Sequence, residues 1–105
     1  MLYLDASALV KRYSSEKGSR AVVARFARDE SIFTSRFSFA EVHLSLGRKF
    51  RAGELNSQNL ASVSEEFEND WLFSLSVLDL DIGTMSAISQ LVEQYDLKAG
   101  DAIHL

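Results

Sequence analysis

Short apolar runs alternate along the chain with stretches whose apolar residues recur every three or four positions. The short runs predict three strands, at residues 2–4, 31–35 and 75–80. The helical spacing predicts five helices: one over 7–13, one capped by Ser19, one ending near Gly53, one capped by Asn56 and one capped by Asp81. A sixth helix is expected to begin at Asp101, where Ile103 and Leu105 start another apolar pattern.

Strands that alternate with helices favour a parallel sheet covered on both faces. We therefore predict an α/β fold with three layers. No proline, repeat or low-complexity tract marks a boundary, so residues 1–105 are expected to form one domain. The last apolar pattern is not completed, and a three-stranded sheet would leave an uncovered edge. We expect a shortened chain that lacks its C-terminal strands, or a domain whose missing wall comes from a partner.

The composition narrows the class of protein. With 47% hydrophobic and 25% charged residues, it is typical of a soluble globular domain. The absence of cysteine excludes disulfides and thiolate metal sites and is consistent with a cytoplasmic location. No apolar run approaches the ~20 residues that a membrane span requires, and no signal peptide is apparent. A net charge of −4 argues against a general nucleic-acid coat. The basic clusters at 20–28 and 48–51 leave a local basic surface open, although the usual placement of Lys and Arg favours solvated helix faces.

Three acidic residues stand where such a sheet would bring them together. Asp5 ends the first apolar run, Glu41 lies one turn into the helix after the second strand, and Asp101 follows Gly100. Functional groups of open α/β sheets gather at the carboxyl ends of the strands. Carboxylates that converge there bind hard cations such as Mg²⁺ or Mn²⁺. The apolar neighbours of Glu41 at Phe37, Ala40 and Leu44 predict that this glutamate is buried.

Three local patterns resemble one known family, the PIN domain, and in particular the small ribonuclease toxins of the VapC type. They are Leu-Asp-Ala-Ser-Ala-Leu-Val-Lys at residues 4–11, Thr-Ser followed by Phe-Ala-Glu-Val at residues 34–42, and Leu-Lys-Ala-Gly-Asp-Ala-Ile-His-Leu at residues 97–105. Each pattern alone is weak. The three together, in this order and on this alternation of strands and helices, are a specific signal that covers the whole chain.

The resemblance implies a three-layer PIN-like fold and a metal-dependent endoribonuclease. Asp5, Glu41 and Asp101 would be the catalytic ligands of Mg²⁺ or Mn²⁺, and Ser7 matches the hydroxyl residue that supports the first aspartate. It also implies an RNA substrate, an antitoxin partner and a homodimer. Arg36, directly after the second strand, is a candidate for contacting RNA phosphate or for a surface salt bridge. The family usually has a fourth acidic residue beyond the last pattern, and this sequence ends before that point.

Simpler interpretations remain for each residue. Asp5, Ser7 and Asp101 are also ordinary helix caps. His43 lies about 200° around the helix from Glu41, and His104 sits in an apolar segment, so we interpret both histidines as structural. An inactive PIN-like module that only binds an antitoxin or itself is the alternative function. A phosphatase is disfavoured, because Ser7 stands where haloacid-dehalogenase-like enzymes have a second aspartate.

Overall fold

Four strands form one sheet in the computed structural model, which describes residues 2–28, 30–79 and 103–104. The strands are β1 (Leu2–Tyr3), β2 (Ile32–Ser35), β3 (Leu75–Leu78) and β4 (Ile103–His104), in the spatial order β3-β2-β1-β4. The first three run parallel, and β4 is antiparallel to β1. The predicted parallel strands are therefore confirmed. The predicted helix after Asp81 and the candidate ligand Asp101 lie outside the described residues.

Among the described residues, four helices connect and cover these strands. They are α1 (Ala6–Leu9), which continues as a 3₁₀ turn over Val10–Arg12, then α2 (Ser19–Phe26), α3 (Ser38–Arg51) and α4 (Ser57–Phe73). Helix α4 begins as predicted at Asn56, whose Oδ1 accepts a hydrogen bond from the Asn59 amide at 2.7 Å. Nothing among these helices is long and apolar enough to cross a membrane, within the part of the chain that the structure describes.

Two predictions are wrong: the sixth helix and the cap of α2. Residues 103–104 form strand β4 instead of belonging to a sixth helix, with Leu2 opposite His104 and Tyr3 opposite Ile103. The free edge of β1 offers unpaired backbone groups, and pairing satisfies them, whereas a short apolar run alone does not distinguish a strand from a helix. Ser19 does not cap α2. Gly18 occupies the cap with φ of 93°, and the Ser19 hydroxyl bonds backbone groups of the preceding turn instead.

The hydrophobic core lies between the sheet and the helices. Each main helix contributes at least one fully buried side chain, spaced as the sequence pattern predicts: Val22 from α2, Val42 and Leu46 from α3, and Phe67 from α4. Around Phe67 the aromatic rings pack edge to face, with Tyr13 at 5.3 Å and Trp71 at 5.8 Å between ring centroids. This packing fixes α3 and α4 against the sheet, and so fixes the start of α3 relative to the end of β1.

Candidate active site

Asp5 lies two residues beyond the end of β1 and forms the N-cap of α1. Its backbone is extended, and its Oδ1 accepts hydrogen bonds from the Ala8 amide at 2.8 Å and from the Ser7 hydroxyl at 2.9 Å. The side chain is exposed, and its Oδ2 accepts no hydrogen bond from the described residues. The hydrogen bond of the predicted cap and the hydrogen bond from Ser7 are thus both accepted by the same carboxylate oxygen. The second oxygen has no hydrogen-bond partner among the described residues.

Glu41 lies in the first turn of α3 and is exposed, so the prediction that it is buried is wrong. Its expected apolar neighbours are exposed too, Phe37 by 51% and Leu44 by 59%. The reason is the orientation of α3, which turns Val42 and Leu46 into the core. Glu41 precedes Val42 by one residue, about 100° around the helix, and therefore points along the surface.

A cleft of about 210 Å³ lies between the start of α1 and one face of α3. Its lining combines a carboxylate, two hydroxyls and a guanidinium, from Ala6, Ser7, Glu41, Leu44, Ser45 and Arg48. Asp5 is joined to this cleft through Ser7, whose hydroxyl donates to its Oδ1. The cleft thus has an acidic end, formed where β1 and α3 meet, and a basic end at Arg48.

Tyr3 is a tyrosine whose pKa is raised by its burial and by both carboxylates. This tyrosine is only 5% exposed and lies two residues before Asp5. Burial raises the pKa of the Tyr3 phenol, and the negative charges of Asp5 and Glu41 raise it further, while a hydrogen bond with the Ser35 backbone acts in the opposite direction. The two carboxylates that raise the pKa of this phenol are thus Asp5, which caps α1, and Glu41, in the first turn of α3.

Comparison with known proteins agrees with this arrangement. Residues 2–105 match the family described as the PIN domain. The chain belongs to the PIN domain family. It is also 29% identical over 105 residues to Ribonuclease VapC45 of Mycobacterium tuberculosis strain CDC 1551 / Oshkosh. The same identity relates it to Ribonuclease VapC49 of strain ATCC 25618 / H37Rv. Each alignment covers 100% of this chain and 72% of the relative.

PIN-domain ribonucleases generally use divalent metal ions. The oxygen donors in and beside the cleft are of the type that such ions bind. Asp5 and Glu41 present carboxylate oxygens, which hard cations prefer. Within residues 2–28 and 30–79 no group of three or more Asp, Glu, His or Cys side chains is placed to hold a metal. The third predicted ligand, Asp101, lies outside the described residues. The described part of this PIN domain therefore supplies two of the three predicted ligands.

Arg36 is not in the cleft. It lies at the carboxyl end of β2 and lines a second, apolar concavity of about 550 Å³, with Phe39 and Trp71 among its other walls. Its Nε is 3.5 Å from Asp79 Oδ1, and both side chains are well exposed. The salt bridge that the sequence left open is thus present in this PIN domain. A contact between Arg36 and RNA phosphate stays a prediction.

His43 packs against α4, on a different face of α3 from Glu41. Its Nε2 lies 3.3 Å from Glu68 Oε1, and its ring packs against Phe39 at 4.7 Å and Phe67 at 5.2 Å between centroids. Those contacts agree with the structural interpretation of this histidine. For His104 the structure describes the backbone, which pairs with β1.

Sequence reasoning missed two residues of this site. Tyr3 was assigned only to a strand, although a residue two positions before Asp5 points to the same face of β1 as Asp5 would in a continuing strand. Arg48 was assigned to a solvated basic cluster, but it lines the cleft. Its spacing of seven residues from Glu41 is two helical turns, which places both side chains on one face of α3. That spacing is the signal that would have found it.

Proposed function

We propose that this PIN domain is a metal-dependent endoribonuclease of the VapC type, the toxin of a toxin–antitoxin pair. The observation that carries the proposal is that Glu41 and Ser7 line one cleft and that the Ser7 hydroxyl donates a hydrogen bond to Asp5. The match of residues 2–105 to the PIN domain and the 29% identity to two named ribonucleases support the same reaction. The alternative, an inactive module that binds an antitoxin or itself, predicts no RNA cleavage.

Asp5, Glu41 and Asp101 would hold Mg²⁺ or Mn²⁺ in this proposal. The bound ion would activate a water molecule and shield the negative charge of the phosphodiester. Ser7 would act on Asp5: by donating to Oδ1 it holds the carboxylate in one rotamer and leaves Oδ2 for the ion. Asp5 and Glu41 are both exposed, so an RNA strand has access to them from solvent.

Arg36 would contribute a phosphate contact beside the acidic end. Its ion pair with Asp79 joins two side chains that are 68% and 77% exposed. Such pairs contribute at most about 1 kcal/mol, so an RNA phosphate can replace Asp79 as the partner. Because Arg36 lines a different concavity from Glu41, its contact would lie on a part of the RNA away from Arg48.

A protein partner is the second part of the proposal. Several large apolar side chains remain exposed on the described surface, including Phe37 at 51%, Leu72 at 71% and Phe73 at 83%. Exposed apolar groups of this size favour a contact with another protein. An antitoxin, and a second copy of this chain in a homodimer, are the partners that a VapC-type toxin would have.

Metal binding and RNA cleavage test the proposal together. Titration calorimetry with Mg²⁺ and Mn²⁺ is performed on the chain, on Asp5→Asn and on Glu65→Gln. The asparagine keeps an oxygen to accept from the Ala8 amide, so the fold is retained while the charge is lost. We expect Asp5→Asn to lose metal binding and at least 100-fold in cleavage of single-stranded RNA. Glu65→Gln is the matched control, because Glu65 is exposed on α4.

Unchanged metal-dependent cleavage by Asp5→Asn would contradict the assignment of the site. Metal binding by the unsubstituted chain without cleavage of any RNA would favour the inactive module. Circular dichroism of each variant verifies that a loss of cleavage does not reflect unfolding.

A further inference from the structure

The cleft carries a positive charge at the end opposite the carboxylates. Glu41 and Arg48 both line it, seven residues apart on α3. Two helical turns separate their backbones by about 10 Å along the helix axis. Arg48 is exposed and forms no ion pair with the described residues. Leu44 and Ser45 form the wall between the two charged groups.

We propose that Arg48 binds the phosphate of a nucleotide next to the one at the carboxylates. This inference rests on the proposed ribonuclease function and deepens it. Because the two backbones are two helical turns apart, we assign Arg48 to a neighbouring phosphate of the same strand and not to the one at the carboxylates. The guanidinium forms paired hydrogen bonds with phosphate oxygens. In a chain with net charge −4, a local cation is needed to bring RNA to an acidic site.

The other two cations of this helix end do not line the cleft. Lys49 Nζ lies 2.7 Å from Glu16 Oε2 and 3.6 Å from Glu54 Oε2. The Arg51 guanidinium folds back along α3, with Nη1 3.3 Å from the position that a Cβ on Gly47 would occupy. Neither residue lines the cleft. Arg48 is therefore the cation that the described part of α3 presents to a strand lying in the cleft.

The salt dependence of RNA binding tests this contact. A single-stranded oligonucleotide is titrated at several salt concentrations with the chain in the Asp5→Asn background, which prevents cleavage. Arg48→Ala should weaken binding about tenfold and reduce the slope of log K against log salt by about 0.7, the value for one phosphate of a single strand. Arg51→Ala removes the same charge three residues further along the helix and should leave the slope unchanged. Arg48→Lys should keep the slope with weaker binding, because the paired hydrogen bonds are lost.

Cleavage of RNAs of different length gives a second readout. With Asp5 intact, Arg48→Ala should raise KM about tenfold for an oligonucleotide without changing kcat, and should not affect a dinucleotide that lacks the neighbouring phosphate. Equal salt slopes for Arg48→Ala and the unsubstituted residue would overturn the inference, as would no RNA binding by the chain. If Arg48→Ala reduces the slope of log K against log salt but neither the chain nor its variants cleave RNA, Arg48 is supported as the phosphate contact. The same result would contradict the nuclease proposal. Melting temperatures verify that all variants remain folded.

Discussion

Glu16 holds its charge between two lysines. Its Oε1 lies 2.7 Å from Lys11 Nζ, and its Oε2 lies 2.7 Å from both Lys49 Nζ and the Ser14 hydroxyl. Burial by itself would raise the pKa of Glu16, but the hydrogen bonds from Lys11, Lys49 and Ser14 lower it from 4.5 to about 2. The glutamate thereby joins the turn after α1 to the last turn of α3, at the end of the helix that carries Arg48.

The charge of Glu16 makes stability depend on pH. Since its folded pKa is about 2 and its ordinary value is 4.5, its contribution is complete above pH 4.5 and is lost as the pH falls towards 2. We expect Glu16→Gln to lower the free energy of unfolding by about 2 kcal/mol at pH 7, a value reduced for solvent screening. The difference from the unsubstituted chain should shrink between pH 4.5 and 2 in urea unfolding. Glu65→Gln on α4 is the control, and a difference that stays constant with pH would contradict the prediction.

Helix α4 is tied to the segment after α1 through one buried carboxylate. Asp70 is 8% exposed, and its Oδ2 accepts from Arg12 Nε at 2.8 Å and from the Tyr13 hydroxyl at 2.7 Å. Burial raises the pKa of Tyr13, and its hydrogen bond to Asp70 raises the pKa further, so Tyr13 stays a donor. The Arg12 guanidinium also stacks on Phe26, 4.1 Å from the ring centroid. The 3₁₀ turn, α2 and α4 therefore meet at the Arg12 side chain.

Removing Asp70 should loosen α4 more than removing one of its partners. We expect Asp70→Ala to lower the free energy of unfolding by about 3 kcal/mol, because it leaves the Arg12 charge half-buried without its carboxylate. Tyr13→Phe should cost about 1 kcal/mol, since it removes one hydrogen bond and leaves the ring packed on Phe67. Urea unfolding of both variants and of the double variant measures the coupling. Equal effects of the two single changes would show that the tether contributes nothing beyond one hydrogen bond.

At the scale of the whole molecule, the parallel order of β1, β2 and β3 collects polar residues at one edge. Arg36 directly follows β2 and Asp79 directly follows β3, while Asp5 lies two residues beyond the end of β1. Parallel strands end on the same side of a sheet, so residues distant in sequence meet there without a local motif. In the proposed function, Asp5 and Glu41 hold a divalent cation near this edge in the folded chain, and the unfolded chain does not bring them together.

A divalent ion should therefore stabilise the folded chain. At a free Mn²⁺ concentration 100 times its Kd, binding to the folded state alone raises the free energy of unfolding by about 2.7 kcal/mol. We expect the melting temperature to rise with Mn²⁺ for the unsubstituted chain and to stay constant for Asp5→Asn. Sodium chloride of equal ionic strength controls for screening. The same rise in Asp5→Asn would place the stabilising ion away from this cleft.

Local sequence patterns were sufficient to predict most of the described strands and helices. The three β-prone runs are strands, and the stripe that includes Phe67 and Trp71 belongs to α4. The Asn56 cap was also predictable, because it depends on one side chain and the amide three residues on. The Asp5 cap was predictable for the same reason, since the Ala8 amide lies three residues on, whereas the support from Ser7 was implied by the family resemblance.

Residues 103–104, Glu41 and Arg48 depended on contacts between distant segments. Whether Ile103 and His104 form a strand was decided by the free edge of β1, about a hundred positions earlier in the chain. The exposure of Glu41 was decided by which face of α3 packs on the core, and the place of Arg48 by the approach of α1 to that helix. The sequence by itself determined most of the elements, the Asp5 and Asn56 caps and the acidic residues, because these follow from short-range hydrogen bonding and periodicity. Only the tertiary structure decided which surfaces face each other, because that follows from the burial of the whole core.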